Sequence, residues 1–261
     1  MLAAACAFAL AAVSAPRASA EDLTLVFKVT GKDGASTSTS YMSSEKMRTG
    51  DAEHETIMEY GSGKMTSIDH KKKEYSEITL EEMEAAMKAA SAKMEAANKQ
   101  MEQQMAAMPP AMKEKMQAMM GGIAGNVTVT KGGTRQVAGY SCQDYTIAMG
   151  EAMTTKVCAT TALQFPAPNV DYRKFLSFGS GMSAMANNPM FKGMSKVADE
   201  MKKIEGITIA TDTSIKMMGR SQETSREATE IKKGPIPASA FDVAEIAKGY
   251  KKVPNPMTQM K

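Results

Sequence analysis

KMTSIDHKKKEYSEITLEEMEAAMKAA, residues 64–90, carries the change of rhythm that decides the fold. Up to Ile78 apolar and polar residues alternate, which is the two-residue period of a half-buried strand. From Thr79 onward the positions Met83, Met87 and Ala90 recur every three or four residues, the period of an amphipathic helix. Thr79 is placed to cap that helix, and Glu81 and Glu82 in its first turn suit the positive end of the helix dipole. One short segment therefore predicts strands before it and helix after it.

Upstream, Leu23, Leu25, Phe27 and Val29 alternate with more polar neighbours. Further short strands are expected at Tyr41–Arg48, His54–Tyr60, Lys64–Asp69 and Lys73–Ile78, separated by Gly50, by Gly61-Ser62-Gly63 and by the lysine run. Short strands joined by short turns make an antiparallel meander. Downstream, the helix reaches Met108 and is ended or kinked by Pro109-Pro110, because each proline disfavours helical geometry in the residue before it. A second short helix stops at Gly121-Gly122.

Strands return over Asn126–Lys131, over Arg135–Met149 after a Gly132-Gly133 turn, and over Thr154–Leu163. Residues 171–205 are helical in composition. Ile207–Met218 and Glu223–Lys232 read as strands about a turn at Gly219, and the tail from Pro235 closes the fold as a short strand or helix. Strands, helices, strands, helix, strands is the segregated order of an α+β protein, with helices packed on one face of one antiparallel sheet.

The first twenty residues have an apolar run too short to span a bilayer and end in Ala18-Ser19-Ala20, the small-x-small pattern of a signal-peptide cleavage site. Residues 1–20 thus read as a signal peptide, without the usual basic start, and residues 21–261 as a single domain with a helical insert at 79–120. Of the three cysteines, Cys6 lies in the leader, and an even pair in an exported chain, Cys142 and Cys158, reads as a disulfide. A hairpin centred on Gly150 would place the two directly opposite each other, and Asp144 opposite Lys156. That register turns Tyr145, Ile147, Met149, Met153, Val157 and Ala159 to the other, buried face.

The compartment implied is the periplasm or the cell exterior. No later segment approaches the roughly 20 apolar residues of a membrane-spanning helix. A net charge of +3 with both signs interleaved is a poor footprint for nucleic acid. Signatures of a nucleophile elbow, a zinc protease, a phosphate loop or a dinucleotide fold are absent, so the expectation is a protein without catalysis or cofactor. Nothing in the sequence specifies an oligomeric state.

The chain holds 26 methionines and no tryptophan. Met83, Met87, Ala90, Met94, Ala97, Met101, Met105, Met108, Met112, Met116 and Met119 form one apolar stripe on a continuous helix, and Met190, Met194, Val197, Met201 and Ile204 form a second. Three uses stay open. The stripes can fill a core, form a deformable lining for a hydrophobic ligand, or bind copper or silver, with Met101, Met105, Met108 and Met112 gathered about the proline pair.

The segments YMSSEKMRTG, KMTSIDHKKKEYSEIT and VAGYSCQDYTIAM with Cys158, and then IPASAFDVAEIAKGYKKV, resemble a bacterial exported family, domain of unknown function 4412. The resemblance carries no catalytic residues with it. That family in turn is similar to lipoprotein carriers of the Lol type, an incomplete, strongly curved antiparallel barrel whose open side is covered by helices and binds acyl chains. The resemblance implies a ligand floor at Leu25, Phe27, Ile147 and Met149, a lid bearing Met87, Met94, Met101, Met105, Met108, Met194 and Met201, and a lipid or lipoprotein as partner.

Overall fold

Alternating apolar residues place most of the strands, and pairing with neighbours sets the bounds of the others. The computed structural model describes residues 21–32, 34–86, 88–90, 93, 127–150, 153–167, 200, 202–217 and 220–259. The strands are β1 (Leu23–Gly31), β2 (Gly34–Met42), β3 (Lys46–Gly50), β4 (His54–Glu59), β5 (Lys64–Asp69), β6 (Glu74–Thr79), β7 (Val127–Val137), β8 (Tyr140–Met149), β9 (Met153–Thr160), β10 (Ile207–Met217), β11 (Arg220–Lys233) and β12 (Lys251–Lys252). All belong to one curved, non-closed sheet ordered β12-β6-β5-β4-β3-β2-β1-β11-β10-β9-β8-β7. Among the described strands only β12, beside β6, pairs in parallel.

Helix is sparse among the described residues. The run α1 (80–86) follows β6 directly, and α2 (Val243–Ile246) lies in the tail, capped by Asp242, whose side chain accepts from the Ala244 amide. The start of α1 closes as its sequence predicts. The Thr79 amide donates to Glu82 Oε2 at 2.9 Å, and the Glu82 amide donates to Thr79 Oγ1 at 3.2 Å, so two otherwise unpaired amides are satisfied reciprocally. Met87, Met94, Met101, Met105, Met108, Met112, Met194 and Met201 lie outside the described residues, as do the leader and the bulk of both expected methionine helices.

Three local expectations are corrected. Tyr41–Arg48 is not one strand. It spans the end of β2, a turn in which Ser43 Oγ accepts from the amides of Glu45 and Lys46, and the start of β3. Gly132-Gly133 is not a turn either. It is a bulge within β7, where the register to β8 shifts between Lys131 and Thr134. The chain reverses at Ala138-Gly139, both with positive φ, a pair that matches the twist of the flanking strands.

The third correction concerns the disulfide hairpin. Met149 pairs with Met153, so the hairpin is centred one residue beyond Gly150, Thr146 opposes Lys156, and Asp144 opposes Cys158. A two-residue slip leaves every side chain on its expected face. Cys142 therefore still reaches Cys158, with the Cα atoms 5.4 Å apart and a disulfide between them. The expected burial of Tyr145, Ile147, Val157 and Ala159 holds, Met153 is only half-buried, and on the other face the two cysteines are buried as well.

The main core gathers Leu23, Leu25 and Phe27 of β1 with Met42, Ile209, Ala228 and the disulfide. Bulges in β11 and β10, between the partners of Val26 and Phe27 and between Thr208 and Ala210, bend the sheet where this core sits. A separate cluster of Ile57 and Ile68 is covered by Val243, Ile246, Ala247 and Tyr250 of the tail. The tail then forms β12 on the open edge of β6 and passes to the opposite face. There buried Asn255 donates from Nδ2 to Ser76 Oγ at 3.3 Å, and Met257 packs with Ile78 and Met83.

Candidate functional site

Cross-strand register brings together what linear sequence keeps apart. Leu23 opposes Met42, Met42 opposes Met47, Met47 opposes Met58, Met58 opposes Met65, and Met65 opposes Ile78. Directly opposed residues share a face, so one apolar row crosses the sheet from β1 to β6 with a methionine on each of the four strands between. Leu23, Met42 and Ile78 are buried, whereas Met47, Met58 and Met65 are half-buried.

A second row lies beside it, two residues along each strand. Leu25 opposes Ser40, which opposes Thr49, followed by Thr56, Ser67 and Ser76. Ser40 and Thr49 share a hydrogen bond of 2.8 Å. Arg226 closes this row at the β1 end, donating to Ser40 Oγ at 3.1 Å while its guanidinium stacks 3.3 Å above the centroid of Phe27. Small hydroxyl side chains keep this part of the face shallow, so the thioethers stand above it.

Of the residues expected to form a ligand floor, Leu25 and Phe27 lie on this face and are fully buried in the main core. Ile147 sits further round the same face, since direct partners run Val29, Arg226, Thr211, Val157 and Tyr145, but it packs in a separate cluster with Tyr145 and Val157. Met149 belongs to β8, and its side chain lies outside the described residues, as do the expected lid methionines. The first turn of α1 is described, and Leu80 and Met83 pack on Ile78 and Met65, at the β6 end of the methionine row. Gly63 makes that approach feasible. Its φ of +63° and its missing Cβ leave space for Leu80, whose Cδ1 would lie 2.7 Å from a Cβ at this position.

The opposite face carries a ladder of charges beside the buried Ile57–Ile68 cluster. Lys46, Glu59, Lys64, Glu77 and Lys252 alternate in sign from β3 to β12 as neighbouring ion pairs. The hydrogen bond and charge of Lys252 hold the Glu77 carboxyl below its ordinary value despite partial burial. Burial pushes Glu59 upward, but the Ser62 hydroxyl and Lys46 outweigh it, and the net direction is down. Next to this ladder Arg48 donates to Glu55 Oε1 at 2.6 Å and to the Ala240 carbonyl at 2.8 Å, while His70 Nε2 lies 3.2 Å from Glu55 Oε2. A cleft of about 570 Å³ at the β6 edge is lined by Lys64, Glu77, Glu82 and Lys252 together with Ile78, Val253 and Pro254.

Among the described residues no group of His, Cys, Asp or Glu is arranged to hold a metal ion. No described helix is long and apolar enough to cross a membrane. Reading along the chain missed the methionine row because it sought methionine stripes on helices and, among strand methionines, singled out only Met149 and Met153. The signal is present as symmetry. Met58 and Met65 stand at equal distances from the Tyr60–Gly63 turn, and Met42 and Met47 flank the turn that follows Met42.

No curated protein matches this sequence. Among solved structures, an uncharacterized conserved protein from Thermus thermophilus aligns at 4% identity over 90% of this chain and 91% of its own, with a TM-score of 0.44. The MucA/MucB complex of Pseudomonas aeruginosa aligns at 8% identity over 84% of this chain, with a TM-score of 0.37. MucB crystallised with MucA(peri) aligns at 9% identity and 0.36. The chain spans about half the length of those two MucB chains, 54% and 53%. Residues 88–245, more than half of the sequence, match the family described as Domain of unknown function (DUF4412), and the chain belongs to that family.

Proposed function

We propose that this protein is a non-enzymatic binding protein of the bacterial periplasm that holds a hydrophobic ligand, a lipid or a lipoprotein acyl chain, against the methionine face of its sheet, with the methionine-rich insert as lid. The observation that carries this reading is the row Leu23–Met42–Met47–Met58–Met65–Ile78. Five strand spacings make the row roughly 24 Å long. One leaflet of a bilayer holds an acyl chain within about 15 Å, half of the hydrocarbon core, so a single chain fits along the row with room at the end. Methionine is unbranched and adaptable, which suits a lining that must fit chains of different length.

Topology supports the lid. The chain leaves β6 near one edge of the sheet at Thr79 and re-enters at the opposite edge with Val127 of β7, and its first helical turn already lies on the methionine face. Burial of the ligand would contribute about 0.8 kcal/mol per CH₂ without any charged contact.

The test is native mass spectrometry of the mature chain purified from a periplasm without detergent, alongside Met58→Asp. A co-purifying mass of several hundred daltons that denaturation releases, and that the Asp variant lacks while keeping its disulfide and its unfolding transition, is the expected result. A bare wild-type mass, or equal retention by a folded Asp variant, overturns the reading.

A further inference from the structure

We propose that the same face has a second binding capacity, for a soft monovalent cation, Cu(I) or Ag(I), held by the thioethers of Met47, Met58 and Met65. The three stand directly opposite one another on adjacent strands β3, β4 and β5. Neighbouring Cα atoms in such pairs are roughly 4.5–5.5 Å apart, and the outer two are separated by about 10 Å, two strand spacings. A side chain with three rotatable bonds spans half that distance sideways. Three sulfurs can therefore converge on one ion above Met58.

The surroundings fix the outer two. Met47 packs against the main core and Met65 against Ile78 and Met83, yet all three side chains are only half-buried and remain open to an incoming ion. Met42, directly opposite Met47 on β2 and 8% exposed, stands behind as a fourth thioether.

The donor set selects the metal. The adjoining row supplies the hydroxyls of Ser40, Thr49, Thr56, Ser67 and Ser76 and no thiolate, imidazole or carboxylate. The imidazole on this face of β4, His54, is two rows from Met58 and faces Asp69 at 3.7 Å. Zinc takes thiolate and imidazole, and magnesium or calcium takes oxygen anions, whereas neutral thioethers suit soft Cu(I) and its analogue Ag(I). Residue choice points the same way. Strands favour valine, isoleucine and aromatic residues, so a core alone does not call for methionine on four successive strands at one level.

The experiment is titration of the full mature chain with Ag(I), which needs no reductant, read by methionine-methyl NMR and by competition for affinity. The first equivalent is expected to shift the Met47, Met58 and Met65 methyls together. M47L/M58L/M65L, which keeps an apolar side chain at each position but removes the three sulfurs, is expected to lose first-equivalent affinity at least tenfold. Replacement of Met101, Met105, Met108 and Met112 by leucine is expected to leave it intact. A first equivalent that moves other methyls, or a triple variant that binds Ag(I) as tightly as wild type, overturns the proposal. Should the triple variant fail to fold, M58L alone decides: a weakened first site supports the triad and an unchanged one ends it.

Discussion

His70 Nδ1 and the Tyr250 hydroxyl lie 2.9 Å apart, a hydrogen bond between residues 180 apart in sequence that ties the tail to the end of β5. Their rings meet edge to face with centroids 5.6 Å apart, and the same imidazole faces Glu55. Tyr250→Phe keeps the ring contact and removes the hydrogen bond. The expected cost is about 1 kcal/mol, with faster amide exchange at Lys251 and Val253, whose N–H groups donate to the Lys73 and Tyr75 carbonyls. Unchanged exchange at these two amides would show that the hydroxyl does not hold the tail.

Reduction of the Cys142–Cys158 bond, which spans 16 positions, is expected to lower stability by about 3 kcal/mol through added freedom of the unfolded chain. Both cysteines are buried in the main core. Urea denaturation of the C142A/C158A variant measures the loss without reductant, and loss of the whole native signal would mean that the bond directs the fold as well as stabilising it.

Acid should loosen the charged ladder that runs from β4 to the β6 edge. Glu59 and Glu77 have folded values below the ordinary 4.5, so the stability they contribute is present above that value and is lost as pH falls through the lower folded values. The wild type should therefore show a steep fall in thermal midpoint below about pH 4.5, and E77Q a shallower one, since the substituted amide cannot ionise. Parallel slopes for the two proteins would count against the Glu77–Lys252 pair as a source of acid sensitivity. High salt should shrink the difference.

The cap between Thr79 and Glu82 makes a local forecast. Thr79→Ala is expected to cost about 1 kcal/mol and to raise amide exchange at Glu82, whose N–H loses its acceptor. Because Met83 is 4% exposed and packs on Ile78, fraying should also broaden the Met83 methyl signal. A sharp, unshifted Met83 signal in the variant would show that packing, not the cap, holds the first turn.

Much of this architecture was legible in residue order. The alternation of Leu23, Leu25 and Phe27, the β4 and β5 strands, the switch at Thr79 and the cysteine pair all express local periodicity or a short-range geometric limit. β2 escaped because Gly34-Ala35-Ser36-Thr37-Ser38-Thr39 is small and polar, and its strand character comes from pairing with β1 on one side and β3 on the other. Gly132-Gly133 misled for a related reason. Two glycines permit a turn, but a bulge against β8 uses the same freedom. The methionine row is a property of register, which depends on where each turn is centred, and the Arg48–Glu55–His70 network joins strands to a tail nearly two hundred residues away.

The tail's passage round the β6 edge has a consequence for colloidal behaviour. An open sheet has two rims, each offering unpaired backbone groups to other chains. On the β7 rim the Val129 amide donates to Glu200 Oε2 at 2.9 Å, and the Gly132-Gly133 bulge interrupts a regular template. The β6 rim depends on two residues of β12 and on Asn255 behind them. Truncation after Gly249 would bare that rim, and light scattering of the shortened chain should then rise with time and concentration as copies zip together through β6; a chain that stays monomeric would mean that the strand's own charges are protection enough.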